Sequence, residues 1–338
     1  MGVSGLPSTS PKHPHPNPTP QAGEGAKHVE VVAGVIRDKL GRILLARRTE
    51  GRDLAGLWEF PGGKHEADET SEAALKRELR EELGIEIELG APLICVPQAY
   101  PHKRLRLDVH EVRAWHGVMR GLEGQALAWV PPHKLVDYPM PPADVPVVAA
   151  LTQPSSYLVT PEPGDDDAVW LASLERALIN GVRRVQLRAP DCEPARWRAL
   201  AAQAAARCRD ADAEVLINGD IELAQALGVG LHLRAAQLPL LSVRPLPPGF
   251  AVAASCHNED ELRAAHALGC DFAVVGAIKP TLTHPGAATL GWRGLAALRE
   301  TVSLPIYAIG GLTPDDIPEA RRHGAQGIAA IRGLWPSP

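Results

Sequence analysis

GKHEADETSEAALKRELREELGI, residues 63–85, is the stretch that decides how the first half of the chain is read. After Gly63 come five residues and then Glu69. Seven more residues lead to Arg77-Glu78-Leu79-Arg80-Glu81-Glu82-Leu83-Gly84-Ile85. Thr70 has the chemistry of an N-cap, and Gly84 that of a left-handed stop. The spacing predicts a helix of about three to four turns between them. Leu75, Leu79 and Leu83 recur every fourth residue and form an apolar stripe. Glu78, Glu81 and Glu82 stand at i, i+3 and i+4 and share a different face.

Like charges at that spacing destabilise a helix by about 0.2–0.5 kcal/mol per pair. Arg77 and Arg80 could relieve them on an ordinary solvated face. A hard divalent cation would instead turn the repulsion into ligation, because Mg²⁺ favours carboxylate oxygens, water and phosphates. Every fixed position of the stretch matches the Nudix box. The region therefore resembles the hydrolases that cleave a nucleoside diphosphate linked to another group.

The chain of 338 residues predicts two domains. A net charge of −5 implies no general affinity for nucleic acid. No apolar run is long enough to span a membrane. Cys95, Cys192, Cys208, Cys256 and Cys270 are dispersed without a C-x-x-C pair and read as reduced thiols, so a cytoplasmic protein is expected. Residues 1–26 are rich in Pro, Ser, Thr and Gly and predict a disordered tail.

Residues 27–151 form the first expected domain. HVEVVAGVI (28–36) and RILLAR (42–47) are β-rich runs about a turn near Asp38–Gly41. LWEFPGGK (57–64) leads into the box, and PLICVPQAY (92–100), RLRLDVHEVRAW (104–115) and LAWV (127–130) read as further strands. PPADVPVVAAL (141–151) predicts a helix opened by proline. One mixed sheet between helices is expected, an α/β/α sandwich. Arg47-Arg48, Glu59-Phe60-Pro61-Gly62-Gly63, the box, Glu123-Gly124-Gln125 and Pro141-Pro142-Ala143-Asp144 together resemble the mutator-T-type enzymes. Those enzymes hydrolyse oxidised guanine nucleoside triphosphates to the monophosphate and pyrophosphate. The resemblance implies Mg²⁺, with Mn²⁺ as a substitute, on Glu78, Glu81, Glu82, the Gly62 carbonyl and Glu123. It makes Glu78 the first candidate for the general base and Glu81 the second, with Arg77 and Glu69 bracing the box. Arg77–Glu69 is equally an ordinary salt bridge, and Glu123 an ordinary loop carboxylate. The resemblance also places Arg48, Phe60 and Tyr100 at the nucleotide. In the family the base-reading residue is an asparagine; here Asp144 stands there. An ionised carboxylate only accepts hydrogen bonds, whereas a carboxyl kept neutral by burial can also donate one.

Strand and helix patterns alternate through residues 155–338, from YLVT (157–160) to GIAAI (327–331), and eight strands predict a compact parallel (β/α)₈ TIM barrel. Gln186-Leu187-Arg188, Leu216-Ile217-Asn218, His232-Leu233, Ser255, the 280–286 stretch PTLTHPG and Ile309-Gly310-Gly311 resemble thiamine phosphate synthase. That likeness implies a phosphorylated ligand near Gln186, Asn218, Ser255, Thr281, Thr283, Gly310 and Gly311. Gly310-Gly311 before a helix suits phosphate, and is equally a tight turn. Gly219 stands where the family has a metal-binding aspartate, no carboxylate precedes Gly230, Ala189-Pro190 replace an expected lysine, and His284 replaces another. The groups that would neutralise a departing pyrophosphate are largely gone, so a catalytically degenerate barrel is expected.

The expected activity is therefore an 8-oxo-dGTP diphosphatase that cleanses the nucleotide pool and so limits mutation, a DNA-repair role. Its partner is a small nucleoside triphosphate, with no stable binding to nucleic acid or membrane. The alternatives are hydrolysis of a thiamine-related diphosphate, residual thiamine phosphate synthase activity, and a barrel that only binds a ligand.

Overall fold

The computed structural model describes residues 27–281 and 288–336. The tail at 1–26, Thr283 and His284 lie outside the described residues. The first domain runs β1 (Lys27–Val35), β2 (Ile43–Arg47), β3 (Trp58–Glu59), β4 (Gly62–Lys64), α1 (Ser71–Leu83), β5 (Glu86–Tyr100), β6 (Lys103–His116), β7 (Leu127–Val130) and α2 (Val145–Thr152). The expected single sheet is in fact two. One is a mixed sheet in the order β4-β1-β6-β5, in which only β1 and β6 are parallel; the other is antiparallel, β3-β2-β7.

The box helix forms as its residues dictate. Thr70 accepts from Ala73 N at 3.2 Å, and Gly84 closes α1 in the left-handed region at φ +70°. Leu75, Leu79 and Leu83 are fully buried with Val32, Ile36 and Ile85, each contributing about 1.5–3 kcal/mol. Phe60, Val96, Val109 and Val147 fill a second core beneath α2. Strand β5 starts six residues earlier than the alternation in 92–100 suggests, because register shifts at Leu89 and Pro92 break the period of two.

The second domain is a closed barrel of β8 (Ser156–Val159), β9 (Arg184–Leu187), β10 (Glu214–Asn218), β11 (Gly230–Leu233), β12 (Val252–Cys256), β13 (Phe272–Gly276), β14 (Ile306–Ile309) and β15 (Gly327–Ala330), all parallel. Around it lie α3 (Asp167–Ile179), α4 (Pro194–Asp210), α5 (Ile221–Leu227), α6 (Glu259–Ala267), α7 (Gly291–Arg299) and α8 (Ile317–Arg322). Tyr157, Phe272 and Tyr307 pack against one another inside the barrel, with ring centroids 5.3–5.6 Å apart.

The two domains meet at the barrel's floor, where the strands begin. Arg184 opens β9, and its guanidinium bonds Glu214 Oε2 at 2.5 Å, Tyr307 Oη at 2.7 Å and Gln153 Oε1 at 3.0 Å. Tyr307 Oη donates to the Pro154 carbonyl at 2.5 Å, so the linker is tied beneath the strands. The C-terminal ends of α7 and α8 reach the first domain from the same side. Strand β5 is an edge strand, and its Ala99 N–H donates to the Glu300 carbonyl at 2.9 Å. The barrel thereby covers an edge that would otherwise be open to pairing with another chain. Arg321 Nη2 donates to the Ala150 carbonyl at 3.3 Å. Arg299 is fully buried at this junction, and among the described residues none of its three guanidinium nitrogens has an acceptor. No helix among the described residues is long and apolar enough to cross a membrane.

Candidate active site

Arg77 organises the box. Its Nε and Nη2 bond the two oxygens of Glu69 at 2.8 and 2.9 Å, Nη2 also bonds the Lys64 carbonyl at 3.0 Å, and Nη1 bonds Glu78 at 2.8 Å and Glu81 at 3.4 Å. One planar fork thus ties the loop before α1 to the acidic face of α1. The Arg77 guanidinium holds the Glu69 carboxyl down at about 2, and its own pKa is raised in return by Glu69 and then Glu78. Gly63 leaves no room for a side chain unless the Glu78 carboxylate moves, since a Cβ there would lie 2.1 Å from Glu78 Oε2. Backbone packing makes the same demand at Gly62, whose φ is +153° and whose Cβ would lie 2.1 Å from the Val32 carbonyl.

Glu82 is the buried member of the acidic face, at 6% exposure. Its Oε2 accepts from Gly62 N at 3.3 Å. Burial first, then the neighbouring Glu123 and Glu59 charges, push its carboxyl up to about 7, while Arg52 pulls the other way. Gln125 sets the opposite wall. It donates to the Glu82 carbonyl at 3.0 Å and accepts from Glu123 N at 2.9 Å, which holds the Glu123 loop against α1. Arg52 bridges the two acids, pairing with Glu123 and lying 3.5 Å from Glu82 Oε1. Arg48, Arg52, Glu59, Glu82, Glu123 and Gln125 line one cleft. Glu78 and Glu81 instead stand with Arg77.

The donor set suits a hard divalent ion in its chemistry. It offers carboxylates and a loop carbonyl, and the carboxylates lie close enough to raise one another. Among the described residues no three His, Cys, Asp or Glu side chains are gathered tightly enough to hold an ion as they stand.

Of the nucleotide-reading candidates, Arg48 lines the cleft, while Phe60 and Asp144 are buried. Arg48 pairs with Glu59 and donates from Nε to the Asp53 carbonyl at 2.6 Å. Phe60 is buried in the core beneath α2, and its N–H points to Asp144 Oδ1 at 3.4 Å. Asp144 precedes α2 but does not cap it; it is buried. Burial, and secondarily the Glu59 charge, push the Asp144 carboxyl up to about 8, so it is mostly neutral at pH 7. Burial likewise raises the Tyr100 phenol to about 12, with the Asp144 charge as the next cause. Arg52, Glu59 and Gln125 escaped the sequence reading as site residues. Gln125 was visible beside Glu123, but Arg52 lies in a loop without periodicity.

In the barrel, Gln186 and Ser255 join one internal polar chain. Gln186 Nε2 lies 3.5 Å from Tyr157 Oη, Tyr157 Oη lies 3.1 Å from His232 Nδ1, and His232 Nε2 lies 2.9 Å from Ser255 Oγ. Burial holds the imidazole down to about 3, so it is neutral at ordinary pH. Asn218 ends β10 at the opposite rim from the linker. A Cβ on Gly219 would lie 2.7 Å from Arg234 Nε, so a guanidinium occupies the space where the family has an aspartate. Gly310 and Gly311, at φ +110° and +64°, pack against Ala277 and Pro280. They do not open directly onto α8. A 3₁₀ turn intervenes, Asp316 accepts from Thr313 N at 3.0 Å, and Lys279 pairs with Asp316 at 2.7 Å. Thr281 stands at the edge of the described residues, and Thr283 is outside them.

Residues 32–150 match the family model described as NUDIX domain, and residues 156–334 match the one described as Thiamine monophosphate synthase. A protein of Escherichia coli named CTP pyrophosphohydrolase is 44% identical over 124 residues, covering 37% of this chain and 91% of that protein. An 8-oxo-dGTP diphosphatase of Haemophilus influenzae is 44% identical over 126 residues, covering 37% and 92%. A thiamine-phosphate synthase of Thiobacillus denitrificans is 34% identical over 185 residues, covering 54% and 87%. The chain therefore belongs to two families at once, a Nudix hydrolase domain followed by a domain of the thiamine monophosphate synthase family.

Proposed function

We propose that the Nudix domain is a divalent-metal-dependent pyrophosphohydrolase of nucleoside triphosphates that favours oxidised guanine, as in 8-oxo-dGTP, and so cleanses the nucleotide pool. The observation that carries this reading is the buried, raised Asp144 carboxyl between Phe60 N–H and Tyr100. In its neutral form it offers one donor and one acceptor side by side. Oxidised guanine presents the complement, an O6 acceptor beside an N7–H donor.

A bound Mg²⁺ or Mn²⁺ would neutralise phosphate oxygens and acidify a water, held by Glu78, Glu81, Glu82, Glu123 and the Gly62 carbonyl. Water adds across the anhydride between the α and β phosphates, its proton passes to a glutamate, and pyrophosphate leaves. Glu78, oriented by Arg77, is the first candidate for that proton, and Glu81 the second. Arg77 and Glu69 keep the loop and helix in register through the step.

A second reading is favoured by the relative named CTP pyrophosphohydrolase, as similar as the guanine-directed one. Cytosine also sets an acceptor, N3, beside a donor, its 4-amino group, and a neutral Asp144 complements that edge equally well. For the barrel, the guanidinium beside Gly219, where the family has a metal-binding aspartate, favours a ligand-binding module over a synthase. Initial rates with Mg²⁺ on 8-oxo-dGTP, dGTP, CTP and thiamine diphosphate test these readings together. Preference for the oxidised guanine nucleotide over dGTP and CTP is expected. Preference for CTP supports the second reading, and preference for thiamine diphosphate overturns both.

A further inference from the structure

Three arginines line the Nudix cleft, and two are tied to fixed partners. Arg47 donates to the Gly56 carbonyl at 3.0 Å, while Arg48 is held by Glu59 and the Asp53 carbonyl. Arg52 differs. Its loop carries no regular structure, its side chain is 42% exposed, and among the described residues its guanidinium partners are Glu82 and Glu123 alone. Those are two of the acids assigned above to the divalent ion. A guanidinium lying against these oxygens competes with a metal ion for their lone pairs and repels it as a like charge.

We propose that Arg52 is a resident counter-cation of the metal carboxylates, which is displaced when a divalent ion enters and then binds the phosphates of the substrate. This rests on the Nudix reading of the site. The guanidinium neutralises Glu82 and Glu123 and keeps the Glu123 loop drawn toward α1 before the ion arrives. Once displaced it stays tethered at the mouth of the same cleft, among Arg47, Arg48 and Thr49. A free guanidinium is a fork for phosphate oxygens, and the triphosphate is the anion that must lie there. Metal loading and substrate grip are thereby coupled through one side chain. Either event alone leaves Arg52 competing for a partner, and the two together satisfy every charge.

The test uses the full chain with Mn²⁺ alone as the probe. Its dissociation constant is measured by calorimetry or electron paramagnetic resonance for the wild type, Arg52→Gln and Arg52→Lys. Arg52 is a partly exposed loop residue, and matching thermal melts confirm intact variants. Removing a half-exposed competing cation predicts Mn²⁺ binding about three- to tenfold tighter in Arg52→Gln. In steady state the same variant should show KM for the nucleoside triphosphate raised about tenfold with kcat much less changed, and Arg52→Lys should recover part of the KM. Equal or weaker Mn²⁺ binding in Arg52→Gln overturns the counter-cation role, and an unchanged KM overturns the phosphate role. If neither protein binds Mn²⁺, the metal reading of the site fails, and this proposal fails with it.

Discussion

Asp144→Asn is the substitution that discriminates most sharply, because it preserves shape while removing a titration. Burial lifts the Asp144 carboxyl from an ordinary 3.8 to about 8. At about 1.4 kcal/mol per tenfold change, that shift sets ~6 kcal/mol against the charged form as an upper bound, with relaxation of the site reducing it to several. With the carboxyl raised to about 8, the neutral form prevails at pH 7 and gives way to the charged form as the pH rises above 8. If the neutral carboxyl reads the base, kcat/KM for the preferred nucleotide falls about tenfold per pH unit above pH 8. An asparagine offers the same donor and acceptor at every pH. The Asn variant should therefore lose the alkaline limb and equal or exceed the wild type at pH 9. Stability carries the same signature. The folded carboxyl is raised, so its contribution is complete below pH 3.8 and is lost as the pH climbs toward 8. Melting curves from pH 5 to 9 should diverge, with the Asn variant the more stable at the alkaline end. The assay is a pair of pH profiles of kcat/KM on the same nucleotide, which cancels ionisation of the base. An identical alkaline limb in both proteins would refute the assignment of Asp144 to the base.

Glu82→Gln should leave the fold intact and lower kcat by about a hundredfold or more, since even outer partners of a metal site commonly cost ten- to a hundredfold; turnover within a few-fold of wild type would remove Glu82 from the site. Gly63→Ala must displace the Glu78 carboxylate, which a Cβ would meet at 2.1 Å. A strong loss of turnover with the melting temperature lowered by only a few degrees is expected, and unimpaired hydrolysis would show that Glu78 is free to move. Arg299→Met replaces a buried, unpaired guanidinium by an apolar chain of similar length. Replacing buried charges in this way commonly stabilises by about 1–4 kcal/mol, so calorimetry should find a higher melting temperature. A marked drop would reveal an acceptor for Arg299.

The features set by local chemistry were legible in the residues. Thr70, Gly84 and the leucines at 75, 79 and 83 report their own roles, because caps and periodicity act within a few residues. The fork of Arg77 onto Glu69 follows from the spacing once the helix is placed. Eight alternating units closed into a barrel for the same reason. What could not be read depends on long-range placement. The division of the first domain into two sheets hinges on which edges pair, and the bulges at Leu89 and Pro92 hide the start of β5. The burial of Asp144 comes from Phe60 and Tyr100, remote in the chain, and the position of Arg52 from a loop whose path no period encodes. Gly310-Gly311 read as a turn leading straight into a helix, whereas a 3₁₀ turn stands between them and α8.

The Nudix domain and the linker close the barrel from below, through Arg184, Tyr307 and the Ala99–Glu300 bond. The ends of the strands that carry Asn218 and Ser255 open on the far side. Among the described residues these contacts between the domains lie at the strands' N-terminal ends, the opposite end of the barrel from that rim. The fusion thus gives the two domains equal copy number and a shared fate in synthesis and degradation.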